Sequence, residues 1–285
     1  MDVQWALVFF TLFTGLGAGL FVAVAVTEWW GKAEAVRFPA AVTALVALAV
    51  GGISSVLHLG HPERIFGALG HPTSGIFVEM LLMGLTGIGV IVYMVMLKRD
   101  ASAVSRKAVA TVTSVPAVIL SFTVGNTYVM AARPAWDTLI LPLLYVATAA
   151  VMGFAALTLF TAVKEDAETT GRVARAVLIS LAIQLVLVIL YVASLSWAPY
   201  PDASRSAGRV LTGSLAPLFW AGLVLVGLAV PAVLAYLIRA KKEGGGLSPL
   251  AGATIGLVAV LAGGVAFRAL MFALGSGVEN YFGNL

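Results

Sequence analysis

The chain has 285 residues, of which 61% are hydrophobic and only 11% are charged. A soluble domain of this size needs more polar surface to cover its core, so the composition predicts a membrane protein. The net charge of +4 does not indicate nucleic-acid binding, because the basic residues lie in short loops between apolar runs. The absence of cysteine excludes disulfides, thiolate catalysis and an iron–sulfur cluster held by thiolates of this chain.

In chain order, eight apolar segments are separated by charges, prolines and glycines. Each is about as long as the ~20 residues that cross ~30 Å of hydrocarbon as a helix, and none alternates as barrel strands do. We therefore predict an all-α integral membrane protein with eight transmembrane helices in a single domain, residues 1–285. The segments are 5–29, 38–58, 75–97, 107–131, 139–163, 175–195, 213–238 and 248–274.

The distribution of lysine and arginine between the loops predicts the orientation. Twelve of the 17 basic residues follow segments one, three, five and seven, whereas four follow segments two, four and six. Because cytoplasmic loops carry the excess of positive charge, we expect the first set inside and both chain ends on the outer, periplasmic side. The twelve are Lys32, Arg37, Lys98, Arg99, Arg106, Lys107, Lys164, Arg172, Arg175, Arg239, Lys241 and Lys242; the four are Arg64, Arg133, Arg205 and Arg209.

Glu79 lies a few residues inside the third segment, close to its outward end. Hydrocarbon penalises an ionised carboxylate, so Glu79 must be neutral, paired or facing a wet cavity. One interpretation is a hydrogen-bonded structural glutamate between helices. The other is a group that handles protons.

All three histidines fall in one region: His58 ends the second segment, and His61 and His71 follow in the same loop. No other ligand cluster completes a metal site here, and three histidines in one loop suit a membrane haem poorly, because a haem takes its ligands from facing helices. We therefore predict no metal or haem in this chain. A histidine near a membrane carboxylate can relay protons at neutral pH, which fits His58 best.

Several other polar residues have two interpretations each. Arg268, inside the eighth segment, either supports helix packing through Glu79 or backbone carbonyls, or contacts a ligand. Asn126, Tyr128 and Arg133 form a polar outer end to the fourth segment, either as pocket lining or as ordinary caps.

We interpret three glycines of the first segment and five tryptophans as structural residues. We expect Gly15, Gly17 and Gly19 to lie where helices pack closely. We expect the tryptophans near both ends of the segments to anchor the protein at the membrane interfaces. These are Trp5, Trp136 and Trp197 near the outer face, and Trp29 and Trp30 near the inner face.

These residues leave three classes open: a quinone-handling redox subunit, a proton-coupled transporter, and a purely structural anchor. The polar groups gather at one membrane face, and the midplane lacks charged, broken helices. Both observations disfavour a transporter.

Four stretches of the sequence form a further pattern. They are Phe10-Thr11-x-Phe13-x4-Ala18-Gly19-x-Phe21, then His58-Leu59-Gly60-x-Pro62-x-Arg64-x-Phe66-x-x-Leu69 followed by Glu79, then Pro134-x-Trp136-x5-Pro142, and Arg268. Together they resemble the membrane-anchor subunit of bacterial dimethyl sulfoxide (DMSO) reductase, over essentially the whole chain. The stretch from His58 to Leu69 is the most specific of the four.

The resemblance implies a multi-pass protein of the bacterial cytoplasmic membrane that anchors two peripheral partners on its outer face. These partners would be a molybdenum-containing catalytic subunit and a four-cluster iron–sulfur subunit, working in anaerobic respiration. The anchor would oxidise menaquinol to menaquinone. Because this chain has no cysteine and no plausible haem pair, the electrons would pass directly to the nearest cluster of the partner.

The resemblance also implies roles for individual residues. Glu79 would be the main proton acceptor or relay, and His58 would hydrogen-bond the quinol head group. The predicted quinol-binding set is His58, Glu79, Arg64, Asn126, Tyr128, Arg133 and Arg268, in which Arg64 and Arg133 shape the pocket rim or contact the iron–sulfur subunit. The main alternative is a quinone-reducing subunit of the polysulfide- or nitrite-reductase class.

Overall fold

The computed structural model describes residues 3–57, 67, 70–197, 201–240 and 247–275. Within these residues, eight helices are long and apolar enough to cross a membrane, which confirms the predicted number. In chain order the helices are α1 (Trp5–Trp30), α2 (Glu34–Val56), α3 (Gly75–Lys98), α4 (Ala103–Asn126), α5 (Ile140–Lys164), α6 (Ala167–Trp197), α7 (Pro201–Leu211), α8 (Leu218–Arg239) and α9 (Pro249–Leu274). The short α7 is the one that does not span.

Serine side chains fix where three of the spans begin. Ser74, Ser102 and Ser248 each accept a hydrogen bond from the backbone N–H three residues further along the chain, at the starts of α3, α4 and α9. Such caps satisfy N–H groups that the first turn of a helix leaves unpaired.

Three helices, α2, α4 and α6, begin earlier than the sequence predicts, because charged residues lie inside them. The Asp166 carboxylate accepts a hydrogen bond of 2.6 Å from the Thr169 backbone N–H, which starts α6 at Ala167 and lowers the pKa of Asp166. Arg172 and Arg175 therefore lie on α6 rather than in a loop. Likewise Arg37, which we expected in a loop, is buried within α2.

The centre of the bundle consists of α1, α5 and α9, whose spans are mostly buried, whereas α3 exposes most of its surface. A Cβ atom on Gly19 of α1 would collide with the backbone of Ala149, and one on Gly153 would collide with the backbone of Gly19. On the other side of α1, a Cβ on Gly17 would lie 2.7 Å from the Ala44 carbonyl oxygen of α2. Small residues thus let α1 pack closely against both neighbours, as predicted.

The first half of α8, Leu218–Ala229, is π-helical, with hydrogen bonds that span five residues. This spacing places Gly222 and Gly227 on the same side, facing α9. A Cβ on Gly222 would lie 3.0 Å from the Ala266 Cβ, and one on Gly227 would lie 2.7 Å from the Gly263 Cα. The glycines therefore allow α8 and α9 to pack closely.

The bundle has two ends. We call the end with the start of α1, the connection 127–139, α7 and the end of α9 the terminal face. We call the opposite end, with the connections 31–33, 99–102 and 165–166 and the end of α8, the basic face.

At the basic face, a buried carboxylate is surrounded by charged partners. Glu28 of α1 is 1% exposed; its Oε1 accepts hydrogen bonds from the Tyr93 hydroxyl at 2.8 Å and from Arg106 Nε at 3.1 Å. Its Oε2 lies 3.2 Å from Arg37, an ion pair that is not aligned as a hydrogen bond. Glu34 lies 3.3 Å from both arginines, so two positive charges balance two negative ones. We call these five residues the Glu28 network.

Candidate functional site

Glu79 lies on the second turn of α3 at the terminal face and is half-buried. Its Oε1 accepts a hydrogen bond of 2.7 Å from the Thr127 hydroxyl, just after the end of α4. Gly75 packs against the same residue, and a Cβ there would lie 3.3 Å from the Thr127 side chain, a tight contact. In the described part of the chain, Thr127 is the only hydrogen-bond partner of the Glu79 side chain.

Next to Thr127, Tyr128 joins a cluster of four aromatic rings. Its ring stacks on Tyr145 of α5, with ring centroids 6.0 Å apart, and meets the edges of Trp136 at 5.5 Å and Phe272 at 5.7 Å. Burial, followed by the proximity of Tyr145 and Glu79, raises the pKa of Tyr128. Its hydroxyl therefore stays protonated at neutral pH and can donate a hydrogen bond.

The aromatic cluster corrects one expectation from the sequence. Trp136 is 2% exposed and donates a hydrogen bond of 2.8 Å to the Met271 carbonyl of α9. The prediction of an interfacial anchor is therefore wrong for Trp136. Trp5 and Trp197 are exposed, which suits interfacial anchors.

Arg268 is fully buried beneath this cluster and connects α9 to α1. Its Nε donates to the Thr11 hydroxyl at 2.7 Å, and its terminal nitrogens donate to the carbonyls of Thr11 at 3.0 Å and Gly264 at 2.9 Å. Its guanidinium also lies over the Tyr145 ring, 5.1 Å from the centroid. The structure thus shows that Arg268 supports helix packing through backbone carbonyls rather than through a pair with Glu79. A contact between Arg268 and quinol stays a prediction.

Arg133 packs on the aromatic cluster at the terminal face of the bundle. One terminal nitrogen donates a hydrogen bond of 2.7 Å to the Gly275 carbonyl, and the guanidinium lies over the Trp136 ring, 4.5 Å from the centroid. These contacts hold the connection between α4 and α5 against the end of α9. Asn126, the last residue of α4, is exposed nearby, and its backbone carbonyl accepts a hydrogen bond from Val129.

The structure therefore brings Glu79, Tyr128, Arg133 and Arg268 together through a continuous series of contacts. His58 and Arg64 lie outside the described residues, and their roles stay predictions. His71, which is described, is exposed.

An apolar cleft of about 570 Å³ lies between α2 and α3 and reaches Met80, the residue after Glu79. Its walls include Met80 and Met83 on α3, and Ile53 and Leu57 on α2. The exposure of Ile53 and Leu57 opens the cleft towards the surrounding lipid. We call it the α2–α3 cleft.

The chain matches the family model described as DMSO reductase anchor subunit (DmsC) over residues 1–274. It belongs to the DMSO reductase anchor subunit family. The resemblance drawn from the sequence motifs is thereby confirmed. A search of curated proteins finds no match to the chain.

As a DMSO reductase anchor subunit, the chain is a multi-pass membrane protein. Membership of the family implies association with the catalytic and iron–sulfur subunits of DMSO reductase.

Sequence reasoning missed several residues of the site in the anchor subunit: Thr127, Tyr145, Phe272 and Thr11. Tyr145 had a usable signal, because a tyrosine hydroxyl within an apolar span must find a polar partner. Here the Tyr145 hydroxyl lies 3.1 Å from the Met271 sulfur. Thr127 gave no signal, because threonine hydroxyls commonly bond to their own helix.

Proposed function

We propose that this anchor subunit binds menaquinol at the terminal face and oxidises it, with Glu79 as the proton acceptor. One observation carries the proposal: Glu79 is a half-buried carboxylate in a spanning helix, with a single neutral hydrogen-bond partner. A carboxylate is retained in a membrane span where it has a function or a charged partner. The described residues supply no charged partner to Glu79.

The chemistry of quinol oxidation suits this arrangement. Conversion of menaquinol to menaquinone releases two electrons and two protons, and a phenolic hydroxyl is a poor acid at neutral pH. A positioned base must therefore accept protons as the electrons leave. Oε2 of Glu79 accepts a proton from the quinol hydroxyl, while the Thr127 hydroxyl holds Oε1 and fixes the orientation of the carboxylate.

Other parts of the terminal face fit a quinol as well. The Tyr128 hydroxyl, which is protonated at neutral pH, can donate a hydrogen bond to a quinone oxygen. The α2–α3 cleft offers an apolar path to lipid for the isoprenoid tail. His58 remains the predicted second hydrogen-bonding partner of the head group.

The electrons go to the partner rather than to a carrier in this chain, which has no cysteine to hold a cluster. A four-cluster iron–sulfur subunit docks at the terminal face, with the molybdenum-containing catalytic subunit beyond it. Two electrons leave the quinol for the nearest cluster, and two protons leave through Glu79.

We further propose that the terminal face is the outer side of a bacterial cytoplasmic membrane, so that protons are released outside. The basis is the concentration of basic residues at the basic face, where Lys98, Lys164 and Arg239 end their helices. The chain has no native cysteine, so single introduced cysteines can report the orientation. A membrane-impermeant maleimide should label Asp137→Cys but not Arg99→Cys in intact spheroplasts. The opposite pattern contradicts the orientation.

Purification of the complex tests the proposed function. We expect molybdenum and iron to co-purify with the chain, and menaquinol to drive the reduction of DMSO by the purified complex. A chain that purifies without either metal would instead support a carrier. Reduction of menaquinone, without oxidation of menaquinol, would support the quinone-reducing alternative.

A further inference from the structure

A cavity of about 790 Å³ lies at the basic face, away from the Glu79 site. It is formed by the first turns of α6, the last turns of α8 and the end of α1. Gly171 packs against α8 at the cavity, where a Cβ would lie in ordinary contact with the Arg239 Cα, 3.6 Å away. The cavity is larger than a single phosphate ion, so a larger ligand fits it better.

The charge within the cavity is unbalanced. Arg172, Arg175 and Arg239 line it together with a single carboxylate, Glu168. Glu168 pairs with Arg172 at 3.4 Å, one helical turn away. Among the described residues, Arg175 and Arg239 have neither a hydrogen bond nor an ion pair from their side chains. The Glu28 network at the same face, in contrast, balances every positive charge that it contains.

The lining changes from polar to apolar with depth. The arginines lie towards the basic face, whereas Ile179 lies further along α6 towards the membrane centre and is exposed to lipid. Trp30 and Tyr236 also line the cavity, and aromatic residues of this kind favour the level of lipid head groups. A ligand that matches this gradient carries an anionic head and an apolar chain.

We propose that this cavity binds an anionic phospholipid. The head-group phosphate lies between Arg175 and Arg239, and an acyl chain runs along Ile179. Basic cavities between membrane helices recognise anionic head groups in this way, by charge and hydrogen bonding to phosphate oxygens. None of the cavity residues belongs to the Glu79 site, so binding of the phospholipid does not depend on the quinol chemistry.

Lipid titration of the delipidated complex tests the proposal. Native mass spectrometry would compare phosphatidylglycerol, phosphatidylcholine and inorganic phosphate as ligands. The wild type should bind phosphatidylglycerol at least about tenfold more tightly than phosphatidylcholine, because two cations face the head group. Inorganic phosphate should compete only weakly, because it lacks the acyl chains.

Two double variants provide the comparison. Arg175→Gln/Arg239→Gln should lower the affinity for phosphatidylglycerol to about that for phosphatidylcholine, whereas Arg175→Lys/Arg239→Lys should retain most of it. Arg99→Gln/Lys164→Gln removes two exposed cations from the same face outside the cavity and should leave the preference unchanged. These side chains are exposed in the wild type, so none of the variants should impair folding.

Three outcomes would overturn the assignment. The first is equal wild-type affinity for the two lipids. The second is an undiminished preference for phosphatidylglycerol in Arg175→Gln/Arg239→Gln. The third is tight binding of inorganic phosphate with no discrimination among lipids, which would make the cavity a site for free phosphate.

Discussion

A carboxylate in a spanning helix has opposite surroundings at the two faces of the bundle. At the basic face, Glu28 is almost fully buried and contacts Arg37, Arg106 and Tyr93, so its charge is neutralised within the protein. At the terminal face, Glu79 is half-buried, and Thr127 supplies its one hydrogen bond among the described residues. Both glutamates lie in spanning helices.

The difference separates a structural carboxylate from a reactive one. A buried carboxylate that is paired with two arginines holds helices together, and its charge is already neutralised within the protein. A carboxylate whose one described hydrogen-bond partner is a neutral hydroxyl can accept a proton and release it again. The local environment therefore points to Glu79, rather than Glu28, as the functional group.

Glu28→Gln should lower the free energy of unfolding by about 3 kcal/mol, because it leaves the buried guanidinium of Arg37 without a fully buried counter-charge. Thermal denaturation of the purified complex would measure the change. Glu34→Gln is the matched control: Glu34 contacts the same two arginines but is 75% exposed, so its loss should cost less than about 1 kcal/mol. Equal effects of the two variants would contradict the distinction.

Gly19→Ala acts on the packing of α1 against α5, between the two carboxylates. The added Cβ would overlap the Ala149 backbone, so we expect a loss of about 2 kcal/mol in stability, seen as a lower denaturation temperature. Gly84→Ala is the control, because no described atom lies within 4 Å of its added Cβ. If the two alanine variants were equally stable, the close contact between α1 and α5 would be wrong.

Thr127→Val removes the hydroxyl that holds Glu79 while keeping the shape of the side chain. Thr127 is exposed, so stability should fall by less than about 1 kcal/mol. Menaquinol-dependent kcat should fall about fivefold, which corresponds to the loss of one hydrogen bond. Thr127→Ser, which keeps the hydroxyl, should restore the rate. Full activity in Thr127→Val would show that this hydrogen bond does not orient the carboxylate.

Much of the fold could be predicted from the sequence, because the length and hydropathy of each span are local properties. The predicted helix boundaries differ from the structure where a charged residue lies inside a helix. The sequence predicts Arg37 and Arg172 as loop residues, although Arg37 is buried and Arg172 follows the Asp166 cap. A rule that ends a span at each charge cannot anticipate a partner on another helix.

The site was partly predictable. Glu79 and Arg268 were identified because an ionisable group inside an apolar run is conspicuous. The sequence does not indicate the role of Glu28, because its partners Tyr93 and Arg106 come from α3 and α4 and are distant in sequence. Trp136 was misassigned for the same reason, since its acceptor, the Met271 carbonyl, lies on α9.

Glu79→Gln is the most direct test of the account, with the smallest expected effect on folding. The measurement is turnover of the purified complex with menaquinol and, separately, with an artificial donor that bypasses the membrane. Asp137→Asn is the matched control, because Asp137 is an exposed carboxylate at the same face.

Glu79→Gln should lower menaquinol-dependent kcat at least about a hundredfold, the usual contribution of a general base. Artificial-donor activity and the denaturation temperature should stay close to those of the wild type, and Asp137→Asn should retain both activities. Unchanged menaquinol turnover in Glu79→Gln would contradict the role of Glu79 as the proton acceptor and make it a packing residue like Glu28.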